Sequence, residues 1–317
     1  MIRPLVVFLV LNTSLIARET IPLLKGWSFL HGEECAAKPP DFGAASAVDL
    51  PHDWSWETGP RKDGAQSDKG GYRIGGVGWY RRIFRIPDSF AGKRVVAHFD
   101  GAYRHATVFL NGHELGCRPY GFISFEYELN PHLQAGENVL DVRLDCRLEP
   151  STRWYHPCGL YAPVRLEAMD PDSRLVRDQL FITTPEVAAD SARIHLSVGI
   201  KGPAKHQLRT ELLGPDGSVL ATLNAAAAKI LSADFPLKNP SLWSPESPAL
   251  HTARLTLLDG TRVVDSLTVP FGIRSIRWDK NTGFHLNGKS VKLRGVCEHL
   301  AGGPVGGAWP GPLLEWK

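Results

Sequence analysis

The chain has 317 residues, 43% of them hydrophobic and 22% charged, with 36 basic against 33 acidic side chains and a formal net charge of +3. That length exceeds one ordinary core and points to two or three domains. The near balance of charge, with no basic run interleaved with aromatics, excludes nucleic acid as an expected partner; 31 Gly, 24 Pro and 9 Trp against 2 Met point to short strands joined by tight turns.

Residues 1–17 combine Arg3, an uninterrupted apolar run over Leu5–Leu11, and Ala17 at a cleavage position. This order reads as a secretory signal peptide, which gives a secreted or periplasmic protein. Leu15 stands where a small residue is usual, and a buried first strand is the alternative. The run is shorter than the roughly 20 apolar residues needed to span a bilayer. No second candidate follows, so no membrane is expected after cleavage. Cys35, Cys117, Cys146, Cys158 and Cys297 fit no zinc spacing. Export would make one pair available for a disulfide, but the sequence does not fix the pairing, and buried thiols are expected for most.

From residue 18 to 169, apolar residues recur at period two in Val95–Asp100, Ala106–Leu110, Phe122–Leu129 and Asn138–Leu144, the pattern of half-buried strands. Asn111-Gly112 between two such runs has the composition of a tight hairpin turn. The fold class is all-β, and this first domain reads as a jelly-roll sandwich. Residues 170–277 alternate again in Ala192–Ile200, His206–Leu213, Ala253–Leu258 and Val263–Val269. Roughly seven short strands in about 100 residues fit an immunoglobulin-like β-sandwich without the antibody disulfide. Asp170-Pro171-Asp172 reads as the linker, and Ala225–Leu231 as a candidate short helix. In residues 278–317, Phe284–Lys289 reads as strand and turn, Ser290–Val296 as a strand, and Gly302–Pro312 as a loop.

Several ordered blocks carry a family resemblance: Arg18–Phe29 (RETIPLLKGWSF), Leu50–Trp54 (LPHDW), Gly78–Phe84 (GWYRRIF), Phe99–Gly116 (FDGAYRHATVFLNGHELG) and Trp154–Val164 (WYHPCGLYAPV), followed by Leu242–Pro248 (LWSPESP) and Phe271–Arg274 (FGIR). In this order they resemble the N-terminal part of glycoside hydrolase family 2, the β-galactosidase, β-glucuronidase and β-mannosidase family, over about residues 18–309. The resemblance implies a sugar-binding jelly roll, an immunoglobulin-like sandwich and the truncated start of a (β/α)8 barrel over 278–317. A complete barrel takes roughly 250 residues. Ser290–Val296 would be its first strand, with Cys297-Glu298-His299 at the end where such barrels carry their active sites.

The activity implied is retaining hydrolysis of O-glycosyl bonds, which needs two carboxylates about 5–5.5 Å apart. In the family both are glutamates on later barrel strands. Neither Glu298 nor Glu315 matches those motifs, so no catalytic residue is assigned and the chain alone is expected to be inactive. His299 matches the family's histidine after the first barrel strand and is the first candidate for binding sugar, since imidazole both donates and accepts. Leu300 and Ala301 stand where related sequences tend to carry His and Asp.

Asp53, with His52 and Trp54, is a second sugar-binding candidate; the competing reading is a structural turn in which Asp53 caps local amides and Trp54 packs. Trp154, with Tyr155 and Tyr161, is a third, on a loop that by resemblance faces the barrel; core packing competes for those rings. Gly295-Val296-Cys297 with His299 and the Gly302–Gly306 run resemble β-galactosidase-like members most, so a β-galactoside is the expected ligand, with β-glucuronide or β-mannoside as alternatives. A non-catalytic secreted carbohydrate-binding protein is the alternative function. Neither cofactor nor metal is expected, and the sequence does not set the oligomeric state. The tail 278–317 is expected to be disordered or to borrow packing from the second sandwich.

Overall fold

A computed structural model describes residues 18–32, 38–64, 68, 70–147, 154–299 and 302–316. The expected signal segment, Cys35, Leu300 and Ala301 lie outside the described residues. The chain is nearly all β and forms two compact units, one of Thr20–Pro171 with residues 294–316, the other of Arg18 and Glu19 with Asp172–Leu293.

The first unit contains β1 (Glu19–Pro22), β2 (Trp27–Gly32), β3 (Ser46–Val48), the single-turn helix α1 (Trp54–Glu57), β4 (Val77–Arg85), β5 (Arg94–Phe99), β6 (Ala106–Leu110), β7 (His113–Arg118), β8 (Phe125–Glu128), β9 (Glu137–Asp145) and β10 (Val164–Met169). One sheet runs β1-β10-β5-β8, the other β3-β2-β4-β9-β6-β7. The alternation in β9 explains its place: Leu140, Val142 and Leu144 point inward and meet Val95, Ala97 and Phe99 of β5 in one core with Trp27, Tyr80 and Leu166. Each buried Leu, Val or Phe among these is worth about 1.5–3 kcal/mol relative to exposure. The Asn111-Gly112 turn joins β6 to β7 with both residues left-handed, at φ 51° and 81°. Asn111 also holds neighbouring backbone: its Oδ1 accepts from Val139 N at 2.8 Å and its Nδ2 donates to His132 O at 2.7 Å.

The second unit contains β11 (Arg174–Val187), β12 (Ser191–Lys201), β13 (Gln207–Leu213), β14 (Val219–Ala226), β15 (Ile230–Lys238), β16 (His251–Asp259), β17 (Arg262–Phe271), β18 (Ile276–Asp279), β19 (Gly283–Leu286) and β20 (Lys289–Ser290). Sheets β11-β12-β15 and β14-β13-β16-β17 enclose a core including Ile194, Leu196 and Val198 from one and Leu208, Leu212 and Leu255 from the other. Strands β18, β19 and β20 form a small third sheet. Arg18 enters this unit as a fork on the buried Asp265, Nη2 to Oδ2 at 2.8 Å and Nε to Oδ1 at 3.2 Å.

Two local expectations change. Ala225–Leu231 is no helix: Ala225 and Ala226 end β14, opposite Leu208 and Gln207, and Ile230 begins β15. The ladder to β13 takes the backbone groups a helix would use, so tertiary pairing overrides alanine's helix propensity. Strand β20 ends at Ser290, and Val291–His299 joins no ladder. A strand exists through its pairing; Val291 N still donates to Phe284 O at 2.9 Å, and no ladder partner is assigned to 292–299 among the described residues. No closed barrel is formed among the described residues, and Val296 is 92% exposed. The tail is not uniform either. Strands β18 to β20 belong to the second unit, tied to it where Asn287 Nδ2 donates to Trp243 O at 3.0 Å. The turn around Gly306 instead packs on the first unit. The helix α2 (Gly311–Trp316) closes the described chain.

Candidate functional site

The first unit carries a cavity of about 900 Å³ whose walls include Tyr103, Arg104, Phe122, Trp154, His156 and His299. Four stretches of the chain build it. The turn entering β6 supplies Tyr103 and Arg104, the segment after β7 supplies Tyr120 and Phe122, and the two loops at 154–156 and 297–299 supply the rest.

The rings pack against one another in sequence. Tyr103 stacks on His156 with centroids 5.1 Å apart and planes 21° from parallel, and Phe122 lies 5.0 Å from Tyr103. Trp154 meets His156 at 6.0 Å and His299 at 5.0 Å, both edge to face. Behind Phe122, the Tyr161 hydroxyl donates to Gly121 O at 2.8 Å, and burial pushes its phenol up to about 12. Trp154 remains 40% and Tyr120 57% exposed. Aromatic faces left open beside polar edges suit sugars, whose C–H faces stack while their hydroxyls bond.

Arg104, His105, His156, Glu298 and His299 supply the titratable side chains of the lining, with Tyr103, Tyr120 and Cys297. The Arg104 guanidinium lies 5.7 Å from the Tyr103 ring centroid. Burial lowers the His156 pKa, and the charges of Arg104 and His299 lower it further.

The structure brings His299 and Trp154 together, as ring neighbours. Asp53 is not among the cavity-lining residues and is 2% exposed. Its Oδ1 accepts from Cys158 N at 3.0 Å and Ser55 Oγ at 3.1 Å; its Oδ2 accepts from Gly307 N at 2.8 Å and from the Tyr155 hydroxyl. Burial raises its carboxyl pKa, against the pull of these donors. The Asp53 side chain thus binds residues distant in sequence as well as its own turn. Gly306, at φ 59°, permits the closest approach: a Cβ there would stand 2.6 Å from Trp56 Cβ and 2.7 Å from Asp53 Oδ2.

His52 and Trp54 belong to the core. His52 Nδ1 pairs with the Tyr80 hydroxyl at 2.6 Å, while Trp54 stacks on Phe29 and donates from Nε1 to Gly75 O at 3.1 Å. Glu315, on α2, is exposed and away from the cavity lining. Tyr103, Arg104, Phe122 and His156 are wall residues that the sequence alone did not single out. The available signal was aromatic and basic side chains at turns inside the FDGAYRHA and WYHPC blocks. Among the described residues no group of three or more His, Cys, Asp or Glu side chains is placed to hold a metal, and no helix is long and apolar enough to cross a membrane.

Two family models match the chain: "Glycosyl hydrolases family 2" over residues 176–274 and "Glycosyl hydrolase 2 galactose-binding domain-like" over residues 77–179. A Formosa agariphila protein provisionally named a β-glucuronidase is 45% identical over 279 residues, 87% of this chain and 27% of that protein. A β-galactosidase from Bacteroides ovatus is 34% identical over 311 residues, 94% of this chain and 36% of that protein. A crystal structure of a β-glycosidase from Bacteroides vulgatus aligns with a TM-score of 0.86 at 34% identity, covering 94% of this chain and 39% of that one. A β-glucuronidase from Bacteroides uniformis aligns at 0.83 and 28% identity, covering 94% and 37%. The chain therefore spans between about a quarter and two fifths of the length of these relatives.

Proposed function

Because the chain belongs to glycosyl hydrolases family 2, carrying that family's N-terminal sandwich domains, we propose that it serves a β-glycosidase and presents the Trp154–His299 cavity to a sugar. The observation that carries this reading is the cavity wall in which the exposed rings of Tyr120, Phe122 and Trp154 stand beside His299 and Arg104, backed by the buried Tyr103 and His156. One face of a pyranose stacks on Trp154; His299 and Arg104 bond its hydroxyls or substituents.

Retaining hydrolysis uses two carboxylates, one protonating the leaving oxygen and one attacking the anomeric carbon, about 5–5.5 Å apart. Glu298 is the one carboxylate in the described cavity lining. Taken alone, these 317 residues bind sugar without cleaving it; in a full-length family member the cavity orients substrate for carboxylates supplied elsewhere. Arg3, Leu5–Leu11 and Ala17 support export through a cleaved signal peptide, and N-terminal sequencing of the secreted protein tests it.

A β-galactoside is the sugar suggested by the Gly295–Gly306 sequence. A second reading, a β-glucuronide, is favoured by the Arg104 guanidinium in the cavity lining, a cationic donor suited to a sugar carboxylate. The 45% identity to the Formosa agariphila relative supports the same reading. Calorimetric titration of the chain with methyl β-galactoside and methyl β-glucuronide distinguishes them. Heat with neither sugar would refute the sugar-binding role.

A further inference from the structure

We propose that Asp53 is the positioning residue of this cavity: its buried carboxylate fixes the places of Trp154 and His299 without itself meeting a ligand. A carboxylate offers about four acceptor sites, and here Ser55, Tyr155, Cys158 and Gly307 supply four donors. None of its usual capacity is left for a sugar hydroxyl.

Three of the four donors belong to the segments that carry the walls, while Ser55 stands two residues after Asp53. Tyr155 stands between Trp154 and His156, and Cys158 follows His156 by two residues. Gly307 follows His299 by eight residues, in the turn at 306–307. Asp53 thus holds both loops, and the loops meet where the Trp154 and His299 rings are 5.0 Å apart.

The side-chain chemistry makes this requirement narrow. The two main-chain N–H donors approach different oxygens, Cys158 at Oδ1 and Gly307 at Oδ2. Asparagine has the same shape but only one acceptor oxygen. Whichever way its amide turns, one NH2 group faces a main-chain N–H and that bond is lost. Asp53→Asn therefore releases one of the two loops while preserving volume.

The role rests on reading the cavity as a sugar site, but its first test needs no sugar. In the whole 317-residue chain, the His299 ring protons are assigned by their loss in His299→Gln. Their ring-current shift from Trp154 is measured by its disappearance in Trp154→Leu. Asp53→Asn is expected to move the His299 signals toward their Trp154→Leu positions and to speed hydrogen exchange at Gly307 N or Cys158 N by roughly tenfold or more. The exposed Asp63→Asn, which touches only the Arg61 partnership, is expected to change neither. Unchanged His299 shifts and unchanged exchange at both amides in a folded Asp53→Asn protein overturn the proposal. Should that variant not fold, the wild-type Gly307 amide decides: protection supports the contact, and exchange at the rate of an open amide overturns it. Titration with methyl β-galactoside and methyl β-glucuronide follows. No binding by wild type refutes the sugar reading while leaving the NMR test of positioning intact; wild-type binding weakened in Asp53→Asn and kept in Asp63→Asn supports both.

Discussion

The His299 imidazole meets the Trp154 indole edge to face, centroids 5.0 Å apart and planes at 67°. They lie 145 positions apart in sequence, and their contact joins two of the loops that wall the cavity. The indole also meets His156 and remains 40% exposed.

Replacing Trp154 by alanine is expected to weaken sugar binding about threefold to tenfold, the equivalent of about 0.5–1.5 kcal/mol for one aromatic contact. Trp154→Phe should recover part of that loss. Calorimetry with methyl β-glucuronide and methyl β-galactoside measures both variants; full affinity in Trp154→Ala would remove the indole from the site.

His156 is expected to titrate below the ordinary histidine value of about 6.5, because burial first, and then Arg104 and His299, disfavour its cation. A folded-state pKa below the unfolded one stabilises the fold at pH above about 6.5. That contribution is lost as pH falls through the folded value. Arg104→Ala should raise the His156 midpoint only part of the way, since burial remains. An NMR titration of the His156 ring reads the shift, and an unmoved midpoint in the variant would exclude the guanidinium as a cause.

Asp279 turns β18 into β19, with Oδ1 accepting from Asn281 N at 2.9 Å and Thr282 N at 2.8 Å. These backbone bonds lower its carboxyl to about 2. Its contribution is therefore present above the unfolded value of about 3.9 and is lost as pH falls through about 2. Asp279→Asn should abolish the acid-induced change at the Asn281 and Thr282 amides. A carboxyl titration midpoint near the unfolded value in wild type would contradict this.

Asp265 is fully buried and accepts from Leu175 N at 2.8 Å as well as from the Arg18 fork. Asp265→Ala leaves a guanidinium and an amide without their acceptor inside the unit and should cost about 3–5 kcal/mol. Urea unfolding of the second unit measures it. A loss below about 1 kcal/mol would mean that the pair behaves as a surface bridge.

Trypsin is expected to cut first after Lys292 or Arg294, both exposed in the unladdered stretch Val291–His299. The paired strands β18 and β19 and the core strands should resist longer. Mass spectrometry of the early products locates the cut, and first cleavage inside β12 or β16 would contradict the pairing described.

Much of the fold was legible because local chemistry and tertiary need agree. The alternation of Asn138–Leu144 became β9 with Leu140, Val142 and Leu144 inward, and Asn111-Gly112 supplied the positive φ values its hairpin needs. Where local signal and environment diverge, sequence misled: alanines near 225 favour helix alone, but β13 offered a ladder. At the site, the ordered blocks drew attention to Trp154 and His299. They did not reveal Tyr103 or His156, whose stacking depends on loops from two different turns.

The sequence by itself determined the all-β class, the two sandwich patterns and the family, because period-two burial and turn residues are local properties and the motif blocks keep their order. Only the tertiary structure decided what Asp53 does. Its four partners come from residues 55, 155, 158 and 307, and a carboxylate's role is set by which donors the folded chain brings within reach.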